Sequence, residues 1–235
     1  MNWITKKPIA HRGLHKNSEI PENSLASFKE AISKNYAIEL DIRITKDKNI
    51  VVFHDKNLFR LCSNKKNISN ENYSILSKFN LYKTKENIPL LSDVLSLVNG
   101  QVPLLIEIKN DGIVGEFEEL LAKELDNYSG DFAVCSFNHK VIVWFKNNRA
   151  KFLRAIIFGD IKELKIRFYK LVFLYRLYIT KANFVSLDYE LLDTIIPFFC
   201  KLLRKPLVVW TINSQKKFLK AKLKADNIIF ENIKV

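Results

Sequence analysis

The chain has 235 residues, 48% of them hydrophobic, with only 6 Gly and 6 Pro. That is enough for one domain with a substantial core, and it argues against a disordered tail or a linker-rich chain. The net charge of +13 draws the molecule toward anions: nucleic acid, anionic lipid head groups or phosphorylated small molecules. It does not choose among them, and a Lys- and Asn-rich composition accounts for it equally well.

Three cysteines, Cys62, Cys135 and Cys200, lie far apart and form no C-x-x-C pair. Reduced, mostly buried thiols are expected rather than a disulfide framework or a thiolate zinc site. The start of the chain lacks the apolar stretch of a signal peptide, and no run approaches the ~20 apolar residues that span a bilayer. The default expectation is a cytoplasmic protein.

Short β-rich runs alternate with helical patterns along the chain, with no Ser/Gly-rich linker or composition break. A single domain over 1–235 is expected, with parallel strands and helical crossovers. The candidate strands are Pro8–His11, Ala37–Arg43, Ile50–His54, Val102–Ile108, Asp131–Ser136, Phe152–Phe158, Asn183–Leu187 and Pro206–Ile212. Helices are predicted over Ser24–Lys34, Ser92–Val98, Gly112–Asn127, His139–Asn148, Ile161–Tyr178, Leu191–Leu203 and Ser214–Leu223. The irregular stretch between His54 and Val102 reads as an insertion replacing one crossover helix. Eight strands with these crossovers fit a (β/α)₈ TIM barrel, and an open doubly wound sheet gives a similar pattern.

Within Ala37–Arg43 the pattern has period two: Leu40 and Ile42 face one way, Glu39, Asp41 and Arg43 the other. Leu104–Lys109 repeats it, with Glu107 and Lys109 on one face. Reactive groups recur at the strand tips: His11-Arg12 after the first, Glu39 and Asp41 near the end of the second, His54-Asp55 at the third, Glu107 and Lys109 at the fourth, Asn213 at the eighth. A barrel gathers its strand C-termini at one opening. Glu39, Asp41 and Glu107 are hard oxygen ligands suited to one divalent cation, Mg²⁺ or Ca²⁺. Arg12 and Lys109 suit phosphate oxygens, and His11 and His54 can exchange protons near neutral pH. Taken singly, each has an ordinary reading: a hydrogen-bonded structural histidine, a solvated strand face, a same-face ion pair. Their coincidence at consecutive strand ends favours an enzyme.

In these residues the sequence resembles the glycerophosphodiester phosphodiesterase family. The resemblance runs through His11-Arg12-Gly13, Pro21-Glu22-Asn23-Ser24, Glu39-Leu40-Asp41-Ile42, Val51-Val52-Phe53-His54-Asp55, Leu58, Arg60, Ile88-Pro89-Leu90-Leu91, Glu107-Ile108-Lys109, Ser136-Phe137 and Trp210-Thr211-Ile212-Asn213. It implies a barrel with an insertion after the third strand and hydrolysis of a phosphodiester to glycerol 3-phosphate, or a similar monoester, and an alcohol. Glu39, Asp41 and Glu107 match the metal ligands, His11 and His54 the acid–base pair, and Arg12 and Lys109 the phosphate contacts. Glu22 and Asn23 match residues near the reaction centre, and Trp210 an aromatic wall of the pocket. The family's closing Asp-Gly-Ile-Ile-Thr-Asp-x-Pro stretch reads Asp226-Asn227-Ile228-Ile229-Phe230-Glu231-Asn232-Ile233 here, so the pocket differs at this strand end.

Residues 161–179 carry a second signal. At 100° per residue, Leu164, Phe168, Leu171, Val172, Tyr175 and Ile179 form the expected inward stripe. Ile166, Tyr169, Phe173 and Leu177 share the other arc with Lys162, Lys165, Lys170 and Arg176. This helix suits either burial against a neighbour or dimer partner, or peripheral contact with anionic lipid. Two alternatives stand beside the soluble diesterase: lysophospholipase D-type activity on a membrane lipid, and a non-catalytic phosphate- or membrane-binding module. No nucleic-acid-reading motif is present, so nucleic acid is not an expected partner. The oligomeric state is not legible.

Overall fold

A computed structural model describes residues 3–16, 18–159 and 168–235. Its strands are β1 (Ile9–Ala10), β2 (Ala37–Ile44), β3 (Ile50–Val52), β4 (Leu104–Ile108), β5 (Phe132–Ser136), β6 (Leu153–Phe158), β7 (Phe184–Asp188), β8 (Leu207–Ile212) and β9 (Asn227–Phe230). They join in the order β1-β9-β8-β7-β6-β5-β4-β2-β3, and β1 also bonds to β2. This is the closed eight-strand ring of a (β/α)₈ barrel, with β3 outside it; the closing β1–β2 pair excludes an open sheet.

Two expectations change. The apolar run predicted as the third barrel strand is β3, which pairs antiparallel with β2. The ring's eighth strand is instead β9, only four residues long and absent from the predicted set. The turn between Ile44 and Ile50 explains the first change. Five residues suffice for a hairpin but not for the crossover that a parallel neighbour needs.

The chain divides into two compact units. In residues 10–131, β2 runs parallel to β4 with Asp41 opposite Glu107. Both faces of these strands are buried, as expected for parallel strands between helices. Helices α2 (Leu25–Ser33), α5 (Leu91–Val98) and α6 (Glu116–Asp126) cover this part. Ser24 caps α2, its hydroxyl accepting from the Ser27 amide. Helix α6 starts later than predicted because buried Glu118 folds back to accept from the Gly115 amide (2.6 Å) and from Asn110 Nδ2 (2.7 Å). The insertion holds two single-turn helices, α3 (Phe59–Cys62) and α4 (Tyr73–Leu76). It has its own core of Val51, Phe53, Leu58, Leu61, Ile68, Leu76, Leu81 and Ile88.

The other unit, residues 1–9 and 132–235, carries parallel β5 to β9. Its helices are α1 (Trp3–Lys6), α7 (His139–Asn148), α8 (Tyr169–Thr180), α9 (Ile196–Leu202) and α10 (Gln215–Lys224). Asn227 Nδ2 donates to the carbonyls of Ile4 and Lys7 (2.8 and 2.7 Å), tying β9 to the first helix. All three cysteines are free thiols, as expected. Burial pushes the Cys62 thiol up to about 11, and burial with Asp226 nearby pushes Cys200 up to about 12.

Helix α8 reverses one expectation. Phe173, Leu177 and Thr180 are buried, while Phe168, Leu171 and Tyr175, predicted to face inward, are exposed. Phe173 packs edge-on against Phe158 of β6, with centroids 5.2 Å apart. The first turns of the helix predicted from Ile161, including Lys162, Leu164, Lys165 and Ile166, lie outside the described residues.

Candidate active site

The three acids predicted as ligands come together. Asp41 and Glu107 are register partners on β2 and β4. Glu39 precedes Asp41 by two residues and so shares its face. A carboxylate oxygen from each lies within 4.8 Å of the others. The residues are 3%, 1% and 8% exposed, so the reading of Glu39 and Asp41 as a solvated strand face does not hold.

Two cations are built into the cluster. Arg12 Nε lies 3.2 Å from Asp41 Oδ2, and its Nη1 2.7 Å from Glu22 Oε1. Lys109 Nζ lies 3.1 Å from Asp41 Oδ1 and 2.5 Å from Glu107 Oε1. Asn23 donates from Nδ2 to Asp41 Oδ2 (2.9 Å) and accepts from the Asp41 amide (3.2 Å). The Arg12 amide donates to Glu39 Oε2 at 2.9 Å. Arg12 and Asn23 both have positive φ, at 53° and 54°. Such conformations cost energy and persist where the surroundings dictate them. Gly13, at φ 80°, completes this turn. A Cβ there would collide with Ser27 Oγ.

The ionisation pattern follows from the geometry. Burial raises the Glu39 carboxyl well above its ordinary range, and Asp41 and Glu107 add to the rise. Burial also raises Glu107, with Lys109 opposing and Asp41 reinforcing. For Asp41, burial is overcome by Lys109 and Arg12, and the carboxyl is held below the usual range. Burial alone would depress the ammonium of Lys109, but Asp41 and Glu107 reverse this and raise it. Three acids against two cations leaves a site short of positive charge, with Glu39 and Glu107 bearing the repulsion. A hard divalent cation fits this donor set.

His54 follows β3 at the start of the insertion. Its carbonyl accepts from Arg43 Nε (2.8 Å), and its Nδ1 lies 2.7 Å from Asp55 Oδ1. Asp55 is ionised: burial is outweighed by Arg60 and His54, which lower it. An ionised carboxylate only accepts, so the proton sits on Nδ1 and Nε2 keeps its lone pair. Burial holds His54 below its ordinary value, with Asp41 opposing and Lys109 and Arg12 assisting. It is therefore neutral near pH 7. His11, half-buried, directly precedes Arg12.

Arg60, Asp55 and Arg43 were not among the predicted site residues. Arg60 bonds Asp55 through Nε (2.8 Å) and Nη2 (3.2 Å), and grips both oxygens of Glu22 at 2.7 Å. Asp55 and Arg60 stand in the stretch that carries the family resemblance, but no periodicity shows that they meet. The site of residues 10–131 thus forms one network: His54–Asp55–Arg60–Glu22–Arg12–Asp41–Lys109–Glu107. A cleft of about 520 Å³ opens beside Lys109, lined by Arg43, Lys48, Lys56, Asn67 and Asn110 among others. That volume suits a small ligand.

Trp210 and Asn213 belong to the other unit, in and just beyond β8. Trp210 is half-buried, edge-on to Phe137 at 5.7 Å between centroids. Asn213 is exposed.

Buried carboxylates that repel one another beside fixed cations at the ends of barrel strands suit a barrel enzyme acting on an anionic substrate. The particular family follows from sequence. Residues 11–185 match the model of the Glycerophosphoryl diester phosphodiesterase family, and the chain belongs to that family; it is a phosphoric diester hydrolase. Bacillus subtilis YhdW is 29% identical over 88% of this chain and 86% of its own length. A glycerophosphodiester phosphodiesterase of Caldanaerobacter subterraneus is 38% identical over 56% of this chain and 58% of its own. The fold matches that of an Oleispira antarctica phosphodiesterase solved with the product sn-glycerol-3-phosphate. The TM-score is 0.82, with 22% identity, over 95% of this chain and 91% of that one.

Proposed function

We propose that the chain hydrolyses a glycerophosphodiester to glycerol 3-phosphate and an alcohol, with one divalent cation held by Glu39, Asp41 and Glu107. The observation that carries this reading is the buried acid triad wedged between Arg12 and Lys109. A bound Mg²⁺ or Ca²⁺ would supply Lewis-acid polarisation of a phosphoryl oxygen.

The chain's own residues do the rest. Arg12 and Lys109, already positive and fixed by carboxylates, orient the phosphate oxygens and stabilise charge that grows on them. His54, with its proton on Nδ1 and a free lone pair on Nε2, accepts a proton from the attacking oxygen. His11 donates its own proton to the leaving alkoxide, and exchange with solvent restores both imidazoles. Asp55 fixes the His54 tautomer, and Arg60 fixes Asp55. Glu22 and Asn23 hold Arg12 and Asp41 in register. The cleft beside Lys109 takes the alcohol portion; its lining sets Arg43 and Lys56 against Asp111, and Lys48 against Glu116, beside Asn67 and Asn110, a mixed-charge wall that suits a polar head group.

The test is a metal-dependence assay. Protein stripped with a chelator is given glycerophosphocholine, then Mg²⁺, Ca²⁺ or Mn²⁺. Return of glycerol 3-phosphate only with metal supports the reading. Full activity without metal removes the carboxylate assignment, and no release from any glycerophosphodiester removes the substrate.

A further inference from the structure

The excess charge is not spread along the chain. Residues 132–235 hold 20 Lys and Arg against 7 Asp and Glu, whereas residues 10–131 hold 16 against 18. A merely Lys-rich composition would load both parts alike. The basic part also carries most of the exposed large apolar side chains among the described residues. On α8, Leu171, Tyr175 and Tyr178 are 63%, 60% and 80% exposed, at the i, i+4, i+7 spacing that puts them in one line. The opposite line, Phe173, Leu177 and Thr180, is buried. Exposed Lys170 and Lys181 bracket the stripe. The two helices that follow repeat the theme, with Phe198 and Leu202 exposed on α9 and Leu219 and Leu223 on α10.

The exposed stripe sits on an anchored helix. Arg154 donates to the carbonyls of Thr180 and Lys181 (3.2 Å each), and Lys146 Nζ donates to that of Ile179 (2.7 Å). These bonds satisfy carbonyls that a helix C-terminus otherwise leaves open.

From this we infer that the outer face of α8, with the basic surface around it, docks the protein on an anionic phospholipid bilayer. Leucine and tyrosine side chains suit the headgroup–acyl boundary, where tyrosine keeps its hydroxyl in water. Lysines at the two ends reach the anionic head groups with their stems along the apolar surface. A second copy of the chain is a poor occupant, because a symmetric contact would set this basic surface against itself. Nucleic acid would satisfy the lysines and leave the leucines in water.

Sedimentation of the full chain with vesicles tests this, using phosphatidylcholine alone or mixed with phosphatidylglycerol. Binding is expected to the mixed vesicles, weakened by salt, and little to phosphatidylcholine alone. Leu171→Glu/Tyr178→Glu should lower the partition coefficient at least about tenfold, with far-UV circular dichroism and glycerophosphocholine hydrolysis unchanged. Lys170→Gln/Lys181→Gln should lower it about fivefold per lysine; these side chains are exposed, so this pair decides the matter if the glutamate pair fails to fold. The inference is overturned if the wild type does not sediment with phosphatidylglycerol vesicles, or if the folded variants bind as well as it does. It is also overturned if light scattering shows a wild-type dimer that the stripe variants break, or if RNA binds the patch while vesicles do not.

Discussion

Replacing Glu39 by Gln should stabilise the metal-free protein while destroying its affinity for the cation. Glu39 is 3% exposed, with carboxylate oxygens of Asp41 and Glu107 within 4.8 Å. Two unit charges at that separation repel by about 3.5 kcal/mol at an effective dielectric of about 20. Loss of the attraction to Arg12 offsets part of this, while a glutamine carbonyl can keep the 2.9 Å bond from the Arg12 amide. A net gain of about 1–2 kcal/mol raises the melting midpoint by roughly 2–8 °C for a chain of this length. The sign with pH is fixed by the raised carboxyl of Glu39. Near pH 4 it is neutral in both folded and unfolded states and the substitution changes little. As pH rises past the unfolded value, the wild type must hold a proton or bear the charge, so the gain from Gln grows. Differential scanning fluorimetry of both proteins in chelator from pH 4 to pH 8, then with Mg²⁺ or Ca²⁺, measures all of this. The wild type should rise with metal, and more at higher pH, because metal competes with protons for the acids. Glu39→Gln melting below the wild type in chelator, or keeping the metal-induced rise, would refute this account of the cluster.

Asp55→Asn should cut kcat by about tenfold to a hundredfold, because the amide no longer dictates the His54 tautomer. Asp55 supports the protonated form of His54, so the acidic limb of the kcat/KM profile should also move to lower pH; an unmoved limb argues against His54 as the base. Arg60→Ala removes the grip on Glu22 and the bond to Asp55, and should lower kcat/KM about tenfold. Because Arg60 is partly exposed, urea denaturation should show a stability change under ~1 kcal/mol. Gly13→Ala forces a Cβ onto Ser27 Oγ at φ 80°, which should destabilise by about 2 kcal/mol or more in the same urea assay.

Much of the site was legible because strands write their geometry into sequence. Glu39, Asp41 and Glu107 stand inside apolar runs with period two, and a parallel neighbour at matched register brings Asp41 beside Glu107. The ring was harder to read. Ile50–Val52 is as apolar as a barrel strand, and only the five-residue turn before it marks a hairpin. Asn227–Phe230 is short and follows a Lys-rich helix, so its two buried isoleucines gave little periodic signal. The Arg60 links to Glu22 and Asp55 depend on the irregular path of the insertion, which no period encodes. Helix α8 carries apolar residues on both arcs, so its phase was undetermined until Phe158 selected Phe173 as the buried neighbour.

The site divides its labour between two kinds of scaffold. The acids stand on β2 and β4, where ladder hydrogen bonds on both sides hold them against their mutual repulsion. The imidazole of His54 has no such ladder. Its place is set by Arg43 on its carbonyl and Asp55 on its Nδ1, and Asp55 is in turn held by Arg60 from the single-turn helix α3. Helix α3 is too short to be stable alone. It stays folded because Leu58 and Leu61 pack into the insertion's core with Phe53, Leu76 and Ile88. The hydrophobic cluster after β3 therefore has a chemical consequence: it fixes Arg60, Arg60 fixes Asp55 and Glu22, and Glu22 fixes the arginine that touches Asp41. Repulsion among the three acids concentrates at the rigid strands, and the imidazole proposed to accept a proton is positioned from a small separate core.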